Sequence, residues 1–297
     1  MALDILRKFV IFCLKRDLRG EVCLTGGNPF LYPGFFDLYH EIARLGFSIS
    51  ILGNPVSEGE LAEAVSIKRP SYYQVSLEGL EDQDNAMRGE GHFNKTIEFI
   101  GLLRKHQVHS HVMLTLTHKN IDEVIPLTEI LSDIVDHFTF NRLSQTGEGK
   151  SIETVTKKEL VALMQEYIHK SKTNKSLRFK DNLFNIFRYH YQHPLMRGCT
   201  GYGCGAAFNF VALLPDGEVH ACRKFPSMIG NILESKFDDI YHSPSAKTYR
   251  RGPSACRFCP IRNNCGGCLA VSHNQGIDIF KQRDPHCFMN ERQSLLS

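Results

Sequence analysis

What this sequence lacks narrows its class before any motif is read. No apolar run approaches the roughly 20 residues that a membrane-spanning helix needs, so no membrane protein is expected. Charge of one sign is not in excess either. With 35 Lys and Arg against 32 Asp and Glu, the formal net charge of +3 is too small to argue for nucleic acid or an acidic membrane surface as partner. A secretory leader is also missing, because Asp4, Arg7 and Lys8 interrupt the opening MALDILRKFVIFCLKRD. That stretch reads instead as an amphipathic helix, with Leu6, Phe9, Val10 and Cys13 on one stripe. Internal repeats and low-complexity tracts are absent. The expected protein is cytoplasmic, touching neither nucleic acid nor membrane. Its 297 residues, 42% hydrophobic and 23% charged, suit one large globular domain plus a small one.

From about residue 20 to 142, short β-rich runs alternate with helical patterns. The expected strands are Glu21–Thr25, Ser48–Leu52, Tyr72–Leu77, Val108–Leu116 and His137–Asn141, with helices such as Phe35–Leu45 and Phe93–His106 between them. Such alternation signals parallel strands joined by helical crossovers. Five units make an open sheet or an incomplete barrel, short of the eight that close a (β/α) barrel. A helix opening at Thr156, with Glu159 completing a capping box, carries the stripe Leu160, Leu163, Met164, Tyr167 and Ile168. The division this implies is 1–150 for the α/β part, 151–195 for a helical bridge, and 196–297 for a cysteine-rich domain.

Ligands gather at the carboxyl ends of parallel strands. Each expected strand ends on small or polar residues: Gly26-Gly27, Gly53-Asn54, Ser76 with Glu78-Gly79, Thr115 with Thr117, and Asn141-Arg142. The stretch LTGGNP stands out among them, since two glycines leave main-chain amides open to a ligand. His109 and His111 lie at the opposite, amino end of their strand and read as structural histidines.

Ten cysteines are the compositional anomaly. Cys13 and Cys23 stand alone, whereas Cys199, Cys204, Cys222, Cys256, Cys259, Cys265, Cys268 and Cys287 crowd into the last 99 residues. In a reducing compartment such a set argues for metal over disulfides. Eight thiolates match two fully ligated [4Fe–4S] clusters. Zinc held by Cys256, Cys259, Cys265 and Cys268 is a physically reasonable rival, although it strands the other four. A Pro-Asp-Gly hairpin between strands Phe208–Leu214 and Val219–Cys222 would fix Cys222 relative to Cys204, and Gly266-Gly267 would let the backbone fold tightly around an inorganic core. Two clusters with 2+ cores would bring the formal charge from +3 to about −1.

These residues carry a family resemblance. The framework from Cys204 to Cys287, with Gly217-x4-Cys222 and Cys256-x2-Cys259-x5-Cys265, resembles the SPASM domain of radical S-adenosylmethionine (SAM) enzymes, and Cys199 completes the eight. The α/β part resembles the partial (β/α)6 barrel of those enzymes. LTGGNP is similar to the Gly-Gly-Glu-Pro turn that binds the methionine end of SAM, VSLEG (Val75–Gly79) to the family's Ser-Leu-Asp-Gly segment, and Asp84…Arg88-Gly89 to the acidic…Arg-Gly stretch after it.

By resemblance, Cys199, Cys204, Cys222 and Cys268 hold one auxiliary cluster, and Cys256, Cys259, Cys265 and Cys287 the other. Gly26, Gly27, Asn28 and Pro29 form the SAM turn, with Ser76 and Arg88 near its carboxylate or ribose. Asn28 stands where the family has Glu, keeping an acceptor for an ammonium but losing its charge. The Cys-x3-Cys-x2-Cys loop that holds the SAM-cleaving cluster is absent from residues 1–297, and an N-terminally shortened chain lacking the first strand is the expectation.

The resemblance implies a maturase of a ribosomally made peptide or protein, fed by an electron donor such as a flavodoxin or ferredoxin. In the complete enzyme a 5′-deoxyadenosyl radical abstracts hydrogen from the substrate. Arg223, following Cys222, occupies the position where sulfatase-type maturases have Asp, which disfavours that subclass. The Gly-Gly-Asn-Pro variant resembles maturases of the selenobiotic, thio(seleno)oxazole peptide group. No catalytic side chain is assigned. The alternatives are a non-catalytic iron–sulfur protein for peptide binding or electron transfer, and a zinc-stabilised binding module.

Overall fold

The computed structural model describes residues 2–18, 20–196 and 203–291, and Cys199 lies outside them. The chain packs as two compact units. The first holds the chain up to Asn141 together with Glu166–Arg178, and the second holds Arg142–Gln165 and the chain from Phe179 onward. Residues 151–195 are thereby shared between the two.

In the first unit, strands β1 (Glu21–Leu24), β2 (Ser48–Leu52), β3 (Tyr73–Ser76), β4 (Ser110–Leu116) and β5 (His137–Arg142, whose last residue belongs to the second unit) form one sheet in sequential order. The pairs β1–β2, β2–β3 and β3–β4 are parallel, with Cys23 beside Ser50, Leu52 beside Gln74 and Ser76 beside Met113. Helices α1 (Ala2–Leu14), α2 (Phe35–Arg44), α3 (Glu58–Ile67), α4 (Glu81–Arg88), α5 (His92–Lys105) and α6 (Val124–Leu131) alternate with the strands. This is the α/β sheet that the alternation predicts, with strand ends differing by a residue or two.

Strand alternation makes the sheet two-faced. Ile49, Ile51, Tyr73, Val75, Val112, Leu114, Phe138 and Phe140 point to one face and are buried. The other face carries Cys23, Ser50, Gln74, Ser76, His111, Thr115, Thr139 and Asn141, so polar residues run along the strands beyond the ends Ser76, Thr115 and Asn141 that the rim argument names. On the far side of β5, Phe138 donates to Arg178 nothing but accepts its amide at 2.9 Å, while the Phe138 amide donates to Ser176 at 2.9 Å. A short extended stretch thus continues the hydrogen bonding past β5. Tyr167, in α7 (Lys157–Lys170), closes the arrangement by donating its hydroxyl to the Phe138 carbonyl at 3.0 Å. The predicted capping box of α7 is present, with Glu159 accepting from the Thr156 amide at 2.7 Å and Thr156 Oγ1 from the Glu159 amide at 3.2 Å.

The second unit contains α8 (Phe184–His190), an antiparallel sheet of β6 (Ala212–Leu213), β7 (Glu218–His220) and β8 (Met228–Asn231), then α9 (Phe237–Tyr241), α10 (Pro244–Arg251) and α11 (Leu269–Asn274). The hairpin is where Asp216-Gly217 places it. The strand expected at Phe208–Leu214 shrinks to two residues because Gly205–Phe210 coils into a turn, with Phe208 donating to the Gly205 carbonyl at 2.9 Å and Ala207 at φ +55°. Among the described residues, no helix is long and apolar enough to cross a membrane.

Candidate cofactor sites

The turn after β1 is built on backbone that few residues other than glycine adopt. Gly26 and Gly27 have φ of +115° and +68°, and nothing lies within 4 Å of where either Cβ would be, so one side of the turn is open. Asn28 caps the short 3-10 turn Pro29–Leu31 by accepting the Phe30 amide at 3.3 Å, which leaves its carboxamide a second lone pair. Pro29 is buried against the end of β2. A Cβ on Gly53 would sit 3.0 Å from Pro29 Cδ and from the Tyr73 hydroxyl.

Ser76 closes β3, and the residues after it form a hydrogen-bonded cluster. The buried Glu78 carboxylate accepts Arg88 Nε at 3.1 Å and a further bond from Arg88 Nη2, while its other oxygen accepts the Thr115 amide at 2.7 Å. The Glu78 amide donates to Asp84 at 2.8 Å, and Asp84 in turn meets His92 Nδ1 at 2.6 Å. Asn120 donates to the carbonyls of Glu78 (2.8 Å) and Thr115 (3.0 Å) and accepts the Thr117 amide (2.8 Å). The cluster locks the ends of β3 and β4 to α4. The Arg88 guanidinium remains about one-third exposed while its charge is balanced by Glu78. Sequence reading singled out Arg88 and Ser76 but missed the work of Asn120 and His92, because polar residues in loops and at helix starts leave no periodic trace.

In the second unit, Cys256, Cys259, Cys265 and Cys287 line one small cavity, walled by Leu183, Ile186, Ile261 and Met289 and flanked by Arg262 and Arg283. Cys268 does not line it. Cys222 and Cys268 lie close enough for the charge of one to act on the other. Cys204 donates its amide to the Cys265 carbonyl at 3.2 Å, and both line a second cavity of about 200 Å³ with Phe208, Tyr249, Arg250 and Arg262.

Burial pushes the thiols of Cys222, Cys256, Cys265 and Cys287 above their ordinary value. At Cys256 the charges of Cys287 and Cys259 add to that effect. The Cys265 sulfur receives the Gly267 amide at 3.5 Å, while at Cys222 and Cys287 the backbone of Lys224 and of Met289 counters part of the effect of burial. Half-buried to buried soft donors gathered at one cavity, with an amide on the Cys265 sulfur, suit an iron–sulfur group, whose iron would take the place of the proton that burial otherwise retains. Among the described residues, no three Cys, His, Asp or Glu side chains converge as a single metal ion requires. All nine described cysteines are free of disulfides.

One carboxylate ties the two cysteine-bearing loops together. Asp284 accepts Arg142 Nη1 at 2.8 Å and Nη2 at 2.9 Å, the Cys268 amide at 2.8 Å and the His286 amide at 2.9 Å. Arg142 also donates Nε to Asp181 at 2.6 Å, and its side chain is 2% exposed. Burial opposes both charges. The Arg142 guanidinium, with hydrogen bonds from His286 and Cys268, nonetheless holds the Asp284 carboxyl well below the usual range, and the two aspartates hold Arg142 above its ordinary value. His286 Nε2 donates to the Val155 carbonyl at 2.9 Å, leaving Nδ1 to accept from Arg142 at 3.1 Å. Arg142, expected on a ligand rim at the end of β5, is instead buried in this network.

A parallel α/β sheet with an open glycine turn, and a thiol-lined cavity in a separate unit, fit the class of iron–sulfur proteins. Residues 3–131 match the radical SAM superfamily, and residues 204–268 match the SPASM iron–sulfur cluster-binding domain. The chain therefore carries a radical SAM region and a SPASM region, whose cofactors are SAM and iron–sulfur clusters.

It is 25% identical over 295 residues to the AdoMet-dependent heme synthase of Methanosarcina barkeri, covering 89% of this chain and 81% of that protein. It is 26% identical over 275 residues to the subtilosin biosynthesis protein AlbA of Bacillus subtilis, covering 84% of this chain and 57% of AlbA, little more than half its length. The fold is similar to that of Streptococcus suis SuiB bound to its precursor peptide SuiA, with TM-score 0.69 at 17% identity, over 96% of this chain and 67% of that one.

Proposed function

We propose that this chain is the SAM-binding and auxiliary-cluster body of a maturase that modifies a ribosomally made peptide in the cytoplasm. The observation that carries the reading is the convergence of Cys256, Cys259, Cys265 and Cys287 on one cavity, four soft donors drawn from 32 residues of sequence. In this reading they hold one [4Fe–4S] cluster, and Cys199, Cys204, Cys222 and Cys268 hold the other. The likeness to AlbA supports a peptide as substrate.

When bound, SAM and a low-potential cluster supply hydrogen abstraction by a carbon radical. Residues 1–297 hold no Cys-x3-Cys-x2-Cys set for that cluster, so no initiating step is assigned to side chains of this chain. What they do is bind and orient. The open main-chain carbonyls of Gly26 and Gly27 and the second lone pair of Asn28 Oδ1 accept from the SAM ammonium, Pro29 fixes that turn, and Ser76 with the exposed edge of Arg88 addresses its carboxylate or ribose. The Glu78 carboxylate holds Arg88 in place. The apolar walls of the thiol cavity exclude water from the cluster that Cys256, Cys259, Cys265 and Cys287 would hold.

Anaerobic reconstitution followed by iron, sulfide and zinc analysis tests this. About eight irons per chain are expected, falling to about four in Cys256→Ser or Cys268→Ser; zinc in place of iron refutes the reading. The match to a heme synthase over most of both chains favours a second reading, with a tetrapyrrole as substrate. Binding of a tetrapyrrole, and not of a precursor peptide, by the reconstituted chain would select it.

A further inference from the structure

The cavity beside Cys204 and Cys265 encloses about 200 Å³, and four side chains that line it end in hydrogen-bond donors: Tyr249, Arg250, Arg262 and Asn263. No Asp or Glu is among its lining residues. Arg250 is held firmly. Its Nε donates to the Ala207 carbonyl at 2.6 Å, Nη2 donates to the Tyr241 carbonyl, and the guanidinium carbon lies 3.9 Å from the centroid of the Tyr241 ring. Two carbonyls and a ring orient the cation without neutralising it, and Nη1 is left over.

The other three donors are also unspent. Among the described residues, neither Arg250 nor Arg262 has a carboxylate partner, and neither the Tyr249 hydroxyl nor the Asn263 carboxamide has a hydrogen-bond partner. The Tyr249 ring is fixed between Phe225 and Phe280, with centroids 6.1 and 5.3 Å away, and burial raises its hydroxyl above the ordinary value, so that group stays a donor. A lining rich in donors and free of acids selects an anion, and the planar fork of an arginine matches a carboxylate. The apolar wall of Phe208, Pro253 and Leu269 favours a carboxylate carried on carbon over a fully hydrated inorganic ion. The volume is below the ~300–1,000 Å³ that whole drug-sized ligands occupy, and suits one acidic arm of a larger molecule.

We propose that this cavity is a substrate subsite that holds a carboxylate, supplied by an acidic side chain of the precursor peptide. A tetrapyrrole propionate presents the same group. That the carboxylate belongs to a substrate rests on the function proposed above; the preference for a carboxylate rests on the cavity alone.

The test uses the reconstituted full chain with its Asn263→Asp and Tyr249→Phe variants, and iron per chain is measured first. Calorimetric titration at low salt then compares the end-blocked pentapeptide Gly-Leu-Glu-Leu-Gly with its Gln counterpart, and mesoporphyrin with its bis-amide. The parent should bind the acidic member of one pair at least about tenfold more tightly than the neutral member, as hydrogen bonds to a charged group imply. Asn263 is exposed, so Asn263→Asp adds a like charge to the cavity wall without burying it and should abolish that preference. Tyr249→Phe removes one donor and should reduce it. Neither residue lines the thiol cavity, so iron content should be unchanged in both. The pair that shows the preference identifies the source of the carboxylate. Equal binding of acidic and neutral members in both pairs overturns the subsite, as does a full preference retained in iron-replete Asn263→Asp protein. Parent protein that keeps the preference but takes up no iron overturns the cluster assignment and leaves the subsite standing.

Discussion

Replacing Arg142 with Met takes one cation from between two buried carboxylates. The Asp284 and Asp181 side chains are 2% and 6% exposed, so neither regains water when the guanidinium leaves. Removing one partner of a buried ion pair costs about 3–5 kcal/mol, a large part of the ~5–15 kcal/mol that holds a typical domain folded. At about 2–4 °C per kcal/mol, R142M should melt about 6–20 °C below the parent. The loss should also reach the clusters, since Asp284 accepts the Cys268 amide from one loop and sits three residues before Cys287 on the other.

Because two like charges are stranded, the double variant R142M/D181N should recover part of the loss, a non-additivity of about 1–3 kcal/mol. Calorimetry on anaerobically reconstituted protein, with iron per chain assayed before and after mild heating, reads both effects. R142M protein that melts within about 2 °C of the parent with all its iron would refute the argument, as would a double variant no better than the single.

Three further outcomes follow from other contacts. A Cβ on Gly267 would lie 2.5 Å from Asp284 Cβ at a φ of +67°, so Gly267→Ala should displace Asp284 and cost about 1–3 kcal/mol, read as lower iron per chain and a lower Tm. Arg88→Met leaves Glu78 buried without its cation and should destabilise the first unit, while R88M/E78Q should recover part of that; hydrogen exchange at the Thr115 amide, which Glu78 accepts, reports the change locally.

The third concerns pH. His137 meets His111 Nε2 at 2.7 Å, and burial followed by the Arg178 charge lowers its pKa. A histidine depressed in the folded state contributes stability that is present above its unfolded value of about 6.5 and lost as pH falls through that value toward the folded one. The parent should therefore lose stability from pH 7.5 to 5.5, and His137→Gln should flatten that slope in denaturant titrations.

Local pattern was enough for much of this protein. Alternating strand and helix signals in residues 20–142 specify a parallel sheet because each element must bury one face or stripe, and that requirement is written in the spacing of Ile49, Ile51, Val112 and Leu114. The hairpin at Asp216-Gly217 and the α7 capping box are equally local, since each needs only residues two or three apart.

Partner choice is not local. Spacing alone leaves open whether Cys268 or Cys287 shares a cavity with Cys256, Cys259 and Cys265; the path of the chain brings in Cys287 and turns Cys268 toward Cys222. Arg142 reads as a polar strand end, yet contacts with Asp181 and Asp284, 39 and 142 residues away, draw it into the interior of the second unit. Such pairings depend on which surfaces exclude water together, and a one-dimensional pattern carries no record of that.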